Sequence, residues 1–370
     1  MEPSPLETYS PPPPLVAAPP GLDETPSSEA PPAAAIVAPS PPAAAMPAPP
    51  SSNRIALVLP LDEPAFARAA SAVRDGFLDA AAAAGRGNDC VVIAHRGGDD
   101  VVGAFEIARE KGVQVAVGPL VRDDLKTLAS ATVTLPWTLA LNQLDDGTPL
   151  PPAIYAFPLT VESDGRTLAK RARASVAAPI DVIQGDSPLM KRLASSFAIE
   201  WTGSGGSPPS VLRFEPSPDA LGELRKTLGR NPPRAVLLAV TGDHAALVKP
   251  FIGNVLAYAS GLVFERPNPA VARDLDDVRV VEIPWLLTPD APQFASIPHR
   301  DFDSDALARL YALGHDAFTI AAAFHDGPPD RFEVDGATGH VTLVPGHLFQ
   351  REAMLGVYRD GRLVPLDSTP

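Results

Sequence analysis

Residues 113–125 read VQVAVGPLVRDDL, and this stretch decides the fold. Its first half is an apolar run with almost no polar residue, as in strands that are buried on both faces of a parallel sheet. Gly118-Pro119 ends the run, and a charged helix begins near Arg122. Ligands of parallel-sheet proteins collect at the carboxyl ends of strands. The turn is therefore the floor of a ligand site, a catalytic loop or a piece of scaffold.

The same strand-then-helix unit recurs on both sides of this stretch. Apolar runs precede helical spacing at 54–61, 90–95, 154–160, 180–185, 210–215 and 235–240. Units of this length predict parallel sheets with right-handed crossovers and helices on both faces. Two successive sets, split near Phe157, predict an α/β protein with two doubly wound lobes. After a long helix at 304–325, Gly-rich turns between short strands predict antiparallel hairpins.

The N-terminal tract has a different composition. Of the 45 prolines in the 370 residues, 17 lie before residue 52, in a segment that has many alanines and no Lys or Arg. Such a segment cannot bury enough apolar surface to offset the entropy lost on ordering. We therefore predict that residues 1–52 are a disordered Pro/Ala-rich linker with polyproline II character.

Charge and hydropathy exclude several classes of partner. The net charge of -14 argues against nonspecific binding to nucleic acid or to an anionic membrane. No uninterrupted apolar run is long enough to span a bilayer. The first ten residues, MEPSPLETYS, have no basic segment, apolar core or lipid-acceptor cysteine of an export signal. The single cysteine, Cys90, lies in an apolar run and is predicted to be a buried hydrophobic residue.

Motifs of enzymes and metal sites fail on inspection. His299-Arg300-Asp301 spells a kinase tripeptide without the other kinase motifs. Asp301, Asp303 and Asp305 have the spacing of a calcium loop, but its Gly and Glu are missing, so we expect them to cap the following helix. The histidines are scattered, and no phosphate loop or serine-nucleophile motif is present. The sequence predicts no catalytic residue, no metal, no cofactor and no enzyme activity.

The order of elements resembles the type I periplasmic-binding-protein fold, and within it the penicillin-binding-protein activator (LppC) family. The resemblance extends over residues 54–370 in order. Runs that carry it include IALVLPL (55–61), VAVGPLVRDDL (115–125), YAFPLTVESDGRTLAKRA (155–172), SPLMKRLASSFAIEW (187–201), RLYALGHDAF (309–318) and GATGHVTL (336–343).

The resemblance implies two lobes with a cleft between them. The chain is expected to cross between the lobes near 157–159, 283–285 and 327–331. The first lobe is then formed by residues 53–157 with 285–328, and the second by 158–284 with 329–370.

The resemblance also implies where a cleft ligand would bind. Predicted strand ends and crossings place seven candidates there: Asp62, Leu120, Asn142, Thr160, Asp186, Ser260 and Trp285. Relatives that bind amino acids have small hydroxyl residues after the third-strand Gly-Pro, whereas this chain has Leu120, Val121 and Arg122. The turn is therefore predicted to be scaffold, without the chemistry that holds an amino acid.

The function implied is that of a noncatalytic activator, which stimulates a class A penicillin-binding protein by protein contact and so regulates peptidoglycan synthesis. The location implied is the periplasm, with a tether to the outer membrane in the full-length form. Because no export signal is seen, we expect the start to be truncated or misassigned; a short form that works differently is the alternative. The competing hypothesis is a periplasmic solute receptor that binds a small molecule or a peptidoglycan fragment in the cleft.

Overall fold

The computed structural model describes residues 55–145, 147–176, 179–264, 268–324 and 327–366. The linker predicted at 1–52 lies outside these ranges. The strands within them are β1 (Ile55–Leu59), β2 (Cys90–Ala94), β3 (Val115–Val117), β4 (Trp137–Ala140), β5 (Ile154–Ala156), β6 (Ile180–Gln184), β7 (Ser210–Arg213), β8 (Ala235–Ala239), β9 (Leu256–Ser260), β10 (Val278–Glu282), β11 (Glu333–Gly336), β12 (Gly339–Val344), β13 (Leu348–Glu352), β14 (Met354–Arg359) and β15 (Arg362–Pro365).

Helices alternate with these strands through most of the chain. They are α1 (Ala67–Ala83), α2 (Asp100–Glu110), α3 (Arg122–Ser130), α4 (Val161–Ser175), α5 (Pro188–Gly203), α6 (Pro218–Arg230), α7 (Gly242–Ile252), α8 (Gly261–Phe264), α9 (Pro284–Leu287) and α10 (Asp305–Ala322). Each long helix buries one apolar face against a sheet or a neighbouring helix, as expected of an amphipathic helix.

The strands form two sheets. The first has the order β11-β12-β13-β5-β4-β3-β1-β2, and the second has the order β15-β14-β10-β9-β8-β6-β7. Pairing is parallel from β2 to β13 in the first sheet and from β7 to β10 in the second. The remaining strands pair antiparallel. The predicted α/β class with two parallel-dominated sheets is confirmed.

The third predicted crossing, near 327–331, is wrong. After α10 the chain returns to the first sheet, where β13 pairs with β5 through Leu348 and Ala156. The passage to the second sheet comes between β13 and β14, at the buried Ala353. Residues 333–352, which we assigned to the second lobe, therefore pair in the first sheet. Their hairpin pattern predicts pairing within the hairpins, but it carries no information about which sheet edge receives them.

The start of α10 differs in detail from the prediction. The hydroxyl of Ser304 accepts the hydrogen bond from the amide of Leu307, so Ser304 is the N-terminal cap. Asp303 instead pairs with Arg68 across exposed surface. Only Asp305 of the three predicted aspartates lies in the first helical turn, where a negative charge is favoured by the helix dipole.

Helices α1 and α10 cross at unusually close range because glycine lies at the contact on both. A Cβ atom on Gly76 would collide with the carbonyl of Tyr311, and one on Gly314 would collide with the carbonyl of Val73. Backbone carbonyls cannot turn aside as a side chain can. The crossing carries the core that includes Phe77, Leu313 and Phe318 on one side of the first sheet.

We expect Gly314→Ala to destabilise the fold by about 1–3 kcal/mol, because the added methyl group must push the two helices apart. Chemical denaturation followed by circular dichroism measures the effect. Gly222→Ala is the matched control, since Gly222 lies in α6 with open space where its Cβ would be. That control should be neutral or stabilising by up to about 1 kcal/mol. Equal stabilities for the two variants would contradict the close-crossing interpretation.

Candidate functional site

Hydrogen bonds and helix α4 relate four of the seven predicted cleft residues in two groups. The structure joins Leu120 to Asn142 by a hydrogen bond, and it joins Ser260 to helix α4, whose N-terminal cap position is Thr160. The other three have separate partners. These two groups, one at the end of β3 and one at the start of α4, are the places to examine for a ligand site.

The turn after β3 is held entirely by the protein. The amide of Gly118 donates to the carbonyl of Leu139 at 2.8 Å, and the amide of Leu141 donates to the carbonyl of Pro119 at 3.0 Å. Gly118 has a φ of 123°, and a Cβ atom there would collide with the carbonyl of Val58 on β1. The turn is therefore wedged between β1 and β4, and the Gly118-Pro119 peptide bond is cis.

Asn142 uses both ends of its amide within this turn. Its Nδ2 donates to the carbonyl of Leu120 at 2.9 Å, and its Oδ1 accepts from the amide of Gln143 at 2.9 Å. The guanidinium of Arg122 also reaches this Oδ1, at 3.5 Å. The polar group that was expected to face a ligand instead closes the turn after β3 onto the end of β4.

Asp62, Asp186 and Trp285 lie apart from these groups. Asp62 is exposed after β1, and its amide donates to the carbonyl of His95 at 3.3 Å. Asp186 forms an exposed ion pair with Lys191, which lowers the pKa of its carboxyl group. Trp285 is buried against the ring of Tyr311, with 5.4 Å between the ring centroids. Its packing role is structural, because the indole lies inside an aromatic cluster.

Ser260, at the end of β9, belongs to a buried charged cluster. Its hydroxyl donates to Oδ2 of Asp164 at 2.6 Å, and Nη2 of Arg351 donates to the other oxygen, Oδ1, at 2.7 Å. All three side chains are almost fully buried. Asp164 lies on α4, and Thr160 is the N-terminal cap position of that helix. Thr160 is also buried, and its Oγ1 has no hydrogen-bond partner among the described residues.

A second buried ion pair lies beside the first. Glu282 at the end of β10 receives two hydrogen bonds from the guanidinium of Arg309 on α10, one of them from Nε to Oε1 at 2.9 Å. The same Oε1 accepts from the amide of Ile283 at 2.8 Å. Gly261 leaves room for this second pair, because a Cβ atom there would collide with the Glu282 carboxylate. We call Asp164, Ser260, Glu282, Arg309 and Arg351 the ionic cluster.

The ionic cluster connects the two sheets. Arg351 lies on β13 of the first sheet, whereas Ser260 and Glu282 end strands of the second. Arg309 comes from α10, the helix that packs on the first sheet through α1. A further bond, from the hydroxyl of Ser163 to the carbonyl of Arg351 at 3.1 Å, fixes β13 to the start of α4. Charges buried in this way hold their elements in one arrangement, since separating a pair leaves a buried charge without a partner.

The electrostatics of the cluster follow from its burial. Burial raises the pKa of Asp164, while Arg351 and the hydroxyl of Ser260 act in the opposite direction. Burial lowers the pKa of Arg309, but the hydrogen bonds and charge of Glu282 outweigh it and raise the pKa overall. The cluster thus contains opposite charges that neutralise each other, and its carboxylate oxygens are occupied by protein donors.

Four of the five members of the cluster were missed by the sequence analysis. The available signal was a charged residue inside an otherwise apolar run, as in VVEIPW at Glu282 and LARLYAL at Arg309. Such residues are almost never fully buried unless they are paired. Finding the pairs needed the fold, because Asp164 and Arg351 are 187 residues apart in the sequence.

Asp316, a buried carboxylate inside the apolar helix α10, has a structural role. Asp316 on α10 accepts hydrogen bonds from the amides of Ala337 and Thr338 at 2.8 and 2.7 Å. It also accepts from the hydroxyl of Thr338 at 2.6 Å. The carboxylate therefore fastens the β11–β12 turn to α10, next to the amide of Trp285, which donates to the carbonyl of Ala337.

Metal-binding groups, membrane-spanning helices and cavities are the remaining features of the described part of the chain. It holds no group of three or more His, Cys, Asp or Glu side chains placed to share a metal ion. None of its helices combines the length and apolar character that crossing a bilayer demands. A cavity of about 560 Å³ adjoins the Glu282–Arg309 pair, with Arg273 and Arg362 on its wall.

Comparison with protein families gives one match over most of the chain. The model of the LppC family, described as "LppC putative lipoprotein", matches residues 49–361. Among curated relatives, the penicillin-binding protein activator LpoA of Mannheimia succiniciproducens is 26% identical over 328 residues, covering 85% of this chain and 55% of that protein. LpoA of Escherichia coli K12 is 26% identical over 308 residues, covering 70% of this chain and 44% of that protein. The chain therefore spans about half the length of these curated relatives.

Solved structures of two kinds are similar. The C-domain of LpoA from Haemophilus influenzae, titled "a regulator of PBP1A", aligns with a TM-score of 0.71 and 20% identity, covering 85% of this chain and 100% of that one. A "putative branched-chain amino acid ABC transporter" from Chromobacterium violaceum aligns with a TM-score of 0.71 and 30% identity, covering 82% of this chain and 99% of that one. One fold thus serves both a regulator and a transporter component among the similar structures.

Proposed function

The chain belongs to the LppC family, and from this premise we propose that it is a noncatalytic activator of a class A penicillin-binding protein. It acts by protein contact and regulates peptidoglycan synthesis. The curated relatives carry the name of penicillin-binding protein activator, which supports the role. We extend the activity of those longer proteins to this chain as a proposal.

One observation favours the activator function over a receptor function. Two polar groups at the predicted ligand positions are hydrogen-bonded within the protein: Asn142 closes its own turn, and Ser260 is bound to Asp164. A receptor must leave such groups for its ligand, because specificity comes from a few precisely placed polar atoms in an apolar pocket. Here a small solute would have to break bonds that the fold already uses.

Activation without catalysis requires only a difference in affinity. A protein that binds the active state of the synthase more tightly than the inactive state shifts the synthase toward activity. The ionic cluster suits this role, since it fixes the two sheets relative to each other. A rigid surface loses little conformational entropy when it binds a partner.

We further propose a periplasmic location with a tether to the outer membrane, in keeping with the family description as a lipoprotein. The two lobes are proposed to form around the two sheets, with residues 333–352 in the first lobe because their strands pair there.

The test is binding and activation by the full chain with a class A penicillin-binding protein from the same organism. We expect a dissociation constant of about 1 μM or tighter, equivalent to about 8 kcal/mol of binding free energy, in biolayer interferometry. The same mixture should polymerise lipid-linked peptidoglycan precursor faster than the synthase alone. A folded chain that neither binds nor stimulates an active synthase would contradict the proposal.

The second candidate is a periplasmic solute receptor. It is favoured by the similarity to the Chromobacterium violaceum transporter structure and by the buried, unpartnered Oγ1 of Thr160. Thermal shift against amino acids and muropeptides separates the two functions. A ligand at 100 times its dissociation constant would stabilise the fold by about 2.7 kcal/mol. If one compound raises the thermal midpoint by an amount that corresponds to this stabilisation, the receptor function is favoured over the activator function.

A further inference from the structure

The exposed side of helices α4 and α5 carries positive charge in a strongly acidic protein. The net charge of the chain is -14, yet after Gly165 helix α4 has Arg166, Lys170, Arg171 and Arg173 and no acidic residue. Arg166, Lys170 and Arg173 follow each other at spacings of four and three residues, which places them on one side of the helix. Like charges at these spacings weaken a helix, and of the three only Arg173 lies in the last turn, where the helix dipole favours a cation.

Two of these cations have no partner in the part of the chain that the structure describes. The side chains of Arg166 and Lys170 form no hydrogen bond or ion pair with any residue in the described ranges. Arg173 lies over the ring of Trp201, with 5.1 Å between its Cζ and the ring centroid. Its charge stays available because the face of an aromatic ring attracts a cation without neutralising it.

Helix α5 continues the same surface. Glu162 on α4 pairs with Arg192 on α5 at 3.3 Å, and about three turns further along α4 Arg173 meets Trp201 of α5, so the helices run side by side in the same direction. Ile199 lies seven residues after Arg192, on the same side of α5, and it is 69% exposed. We call Arg166, Lys170, Arg173, Arg192 and Ile199 the cationic face.

The two helices give the cationic face a rigid base. Gly165 allows α4 to approach α5 closely, because a Cβ atom there would collide with Ser196. Leu168, Phe197 and Trp201 are fully or almost fully buried between the helices and the second sheet. Side chains on such a base keep a fixed spacing, which favours recognition of a surface with matching charges.

We propose that the cationic face is the surface on which an acidic patch of the partner synthase docks. An acidic partner is repelled by most of a chain of charge -14, so a local positive surface both steers its approach and sets its orientation. An exposed aliphatic side chain with charged neighbours matches the apolar centre and polar rim of a protein interface. This inference rests on the proposed function, and it names the contact surface.

The experiment compares two double variants of the full chain in binding to the immobilised synthase. Arg166→Glu with Lys170→Glu changes the cationic face, and Arg225→Glu with Arg230→Glu changes two exposed cations of α6. Each pair takes the net charge from -14 to -18, since each substitution changes it by two. Both variants should keep the wild-type thermal midpoint, because all four side chains are exposed or half-buried on helices.

We expect the first variant to bind at least about tenfold more weakly, a loss of about 1.4 kcal/mol, and the second to bind within about threefold of wild type. Raising the salt concentration should weaken wild-type binding and have less effect on the first variant. Equal losses in both variants, or none, would overturn the docking surface while leaving the proposed function in place. Absence of wild-type binding would instead overturn the proposed function.

Two arms identify other occupants of the cationic face. Vesicles with and without anionic lipid are mixed with the wild-type chain and with the same two variants, and sedimentation velocity measures the self-association of all three proteins. Vesicle binding or dimerisation that the Arg166→Glu, Lys170→Glu variant alone abolishes would overturn the assignment to a protein partner. A wild-type chain that is monomeric and binds neither type of vesicle supports it.

Discussion

Replacing Arg351 with methionine is expected to lower the free energy of unfolding by about 3–5 kcal/mol. Arg351 is 2% exposed and donates to the carboxylate of Asp164, which is 3% exposed. Methionine fills a similar volume but supplies no donor, so Asp164 keeps only the bond from Ser260. The expected loss is the cost of a buried carboxylate whose positive partner has been removed.

The matched control is an ion pair between the same two elements at the surface. Arg171 on α4 pairs with Glu352 on β13 at 3.0 Å, with both side chains about half exposed. We expect Arg171→Met to cost about 0–1 kcal/mol, because solvent screens the pair. The double variant Arg351→Met, Asp164→Leu should recover much of the single-variant loss, since no unpaired charge remains. Similar losses for Arg351→Met and Arg171→Met would contradict the role assigned to burial.

The pH dependence of the Arg351→Met variant identifies the cause. Burial already raises the pKa of Asp164, and removing Arg351 takes away the main opposing influence. With its folded pKa above its unfolded pKa, the carboxyl group penalises folding at neutral pH, and the penalty fades as the pH falls toward the unfolded pKa. The difference in stability from wild type should therefore shrink between pH 7 and pH 5. A difference that stays constant would point to lost packing as the cause.

The ionic cluster matters for function because it joins the two sheets. The ionic cluster takes residues from α4, β9, β10, α10 and β13. If the pairs contribute as expected, opening the two sheets relative to each other would cost several kcal/mol, because each pair would have to separate. A protein held in this way is suited to present a fixed surface to another protein. It is less suited to close around a solute.

The sequence predicted the individual strands and helices well, but it did not predict which distant residues are in contact. Apolar runs such as 113–117 predicted strands because a parallel strand buried on both faces must be apolar throughout. The same logic could not place the hairpins at 333–352, whose strand pairing with β5 is limited to Leu348 and Ala156. Local patterns specify local structure, whereas a sheet edge is selected by the remainder of the fold.

The candidate site shows the same limit more sharply. Ser260 and Thr160 were predicted from their position at a strand end and a crossing; Ser260 binds the buried carboxyl group of Asp164, and Thr160 precedes the helix that carries Asp164. What the sequence could not show was that Ser260 is already bound, since its partner is 96 residues away. Whether a polar side chain serves a ligand or the fold depends on such distant partners.

The Gly118-Pro119 turn after β3 is tested by the substitution Gly118→Ala, which is expected to destabilise the protein by about 2–5 kcal/mol. Two costs add. At a φ of 123°, a residue with a Cβ atom is strained by roughly 1–2 kcal/mol, and the methyl group would also collide with the carbonyl of Val58 in the neighbouring strand. Overpacking against a backbone that cannot move freely adds about 1–3 kcal/mol.

Gly112→Ala separates these two costs. Gly112 has a φ of 68° and open space around the position of a Cβ atom, so its variant carries backbone strain alone. We expect a loss of about 1–2 kcal/mol there. An excess loss at Gly118 measured by urea denaturation would show that the turn supports the junction of β1, β3 and β4. If the two variants lose the same stability, the turn tolerates the extra methyl group, and a role as scaffold would no longer explain why glycine occupies this position.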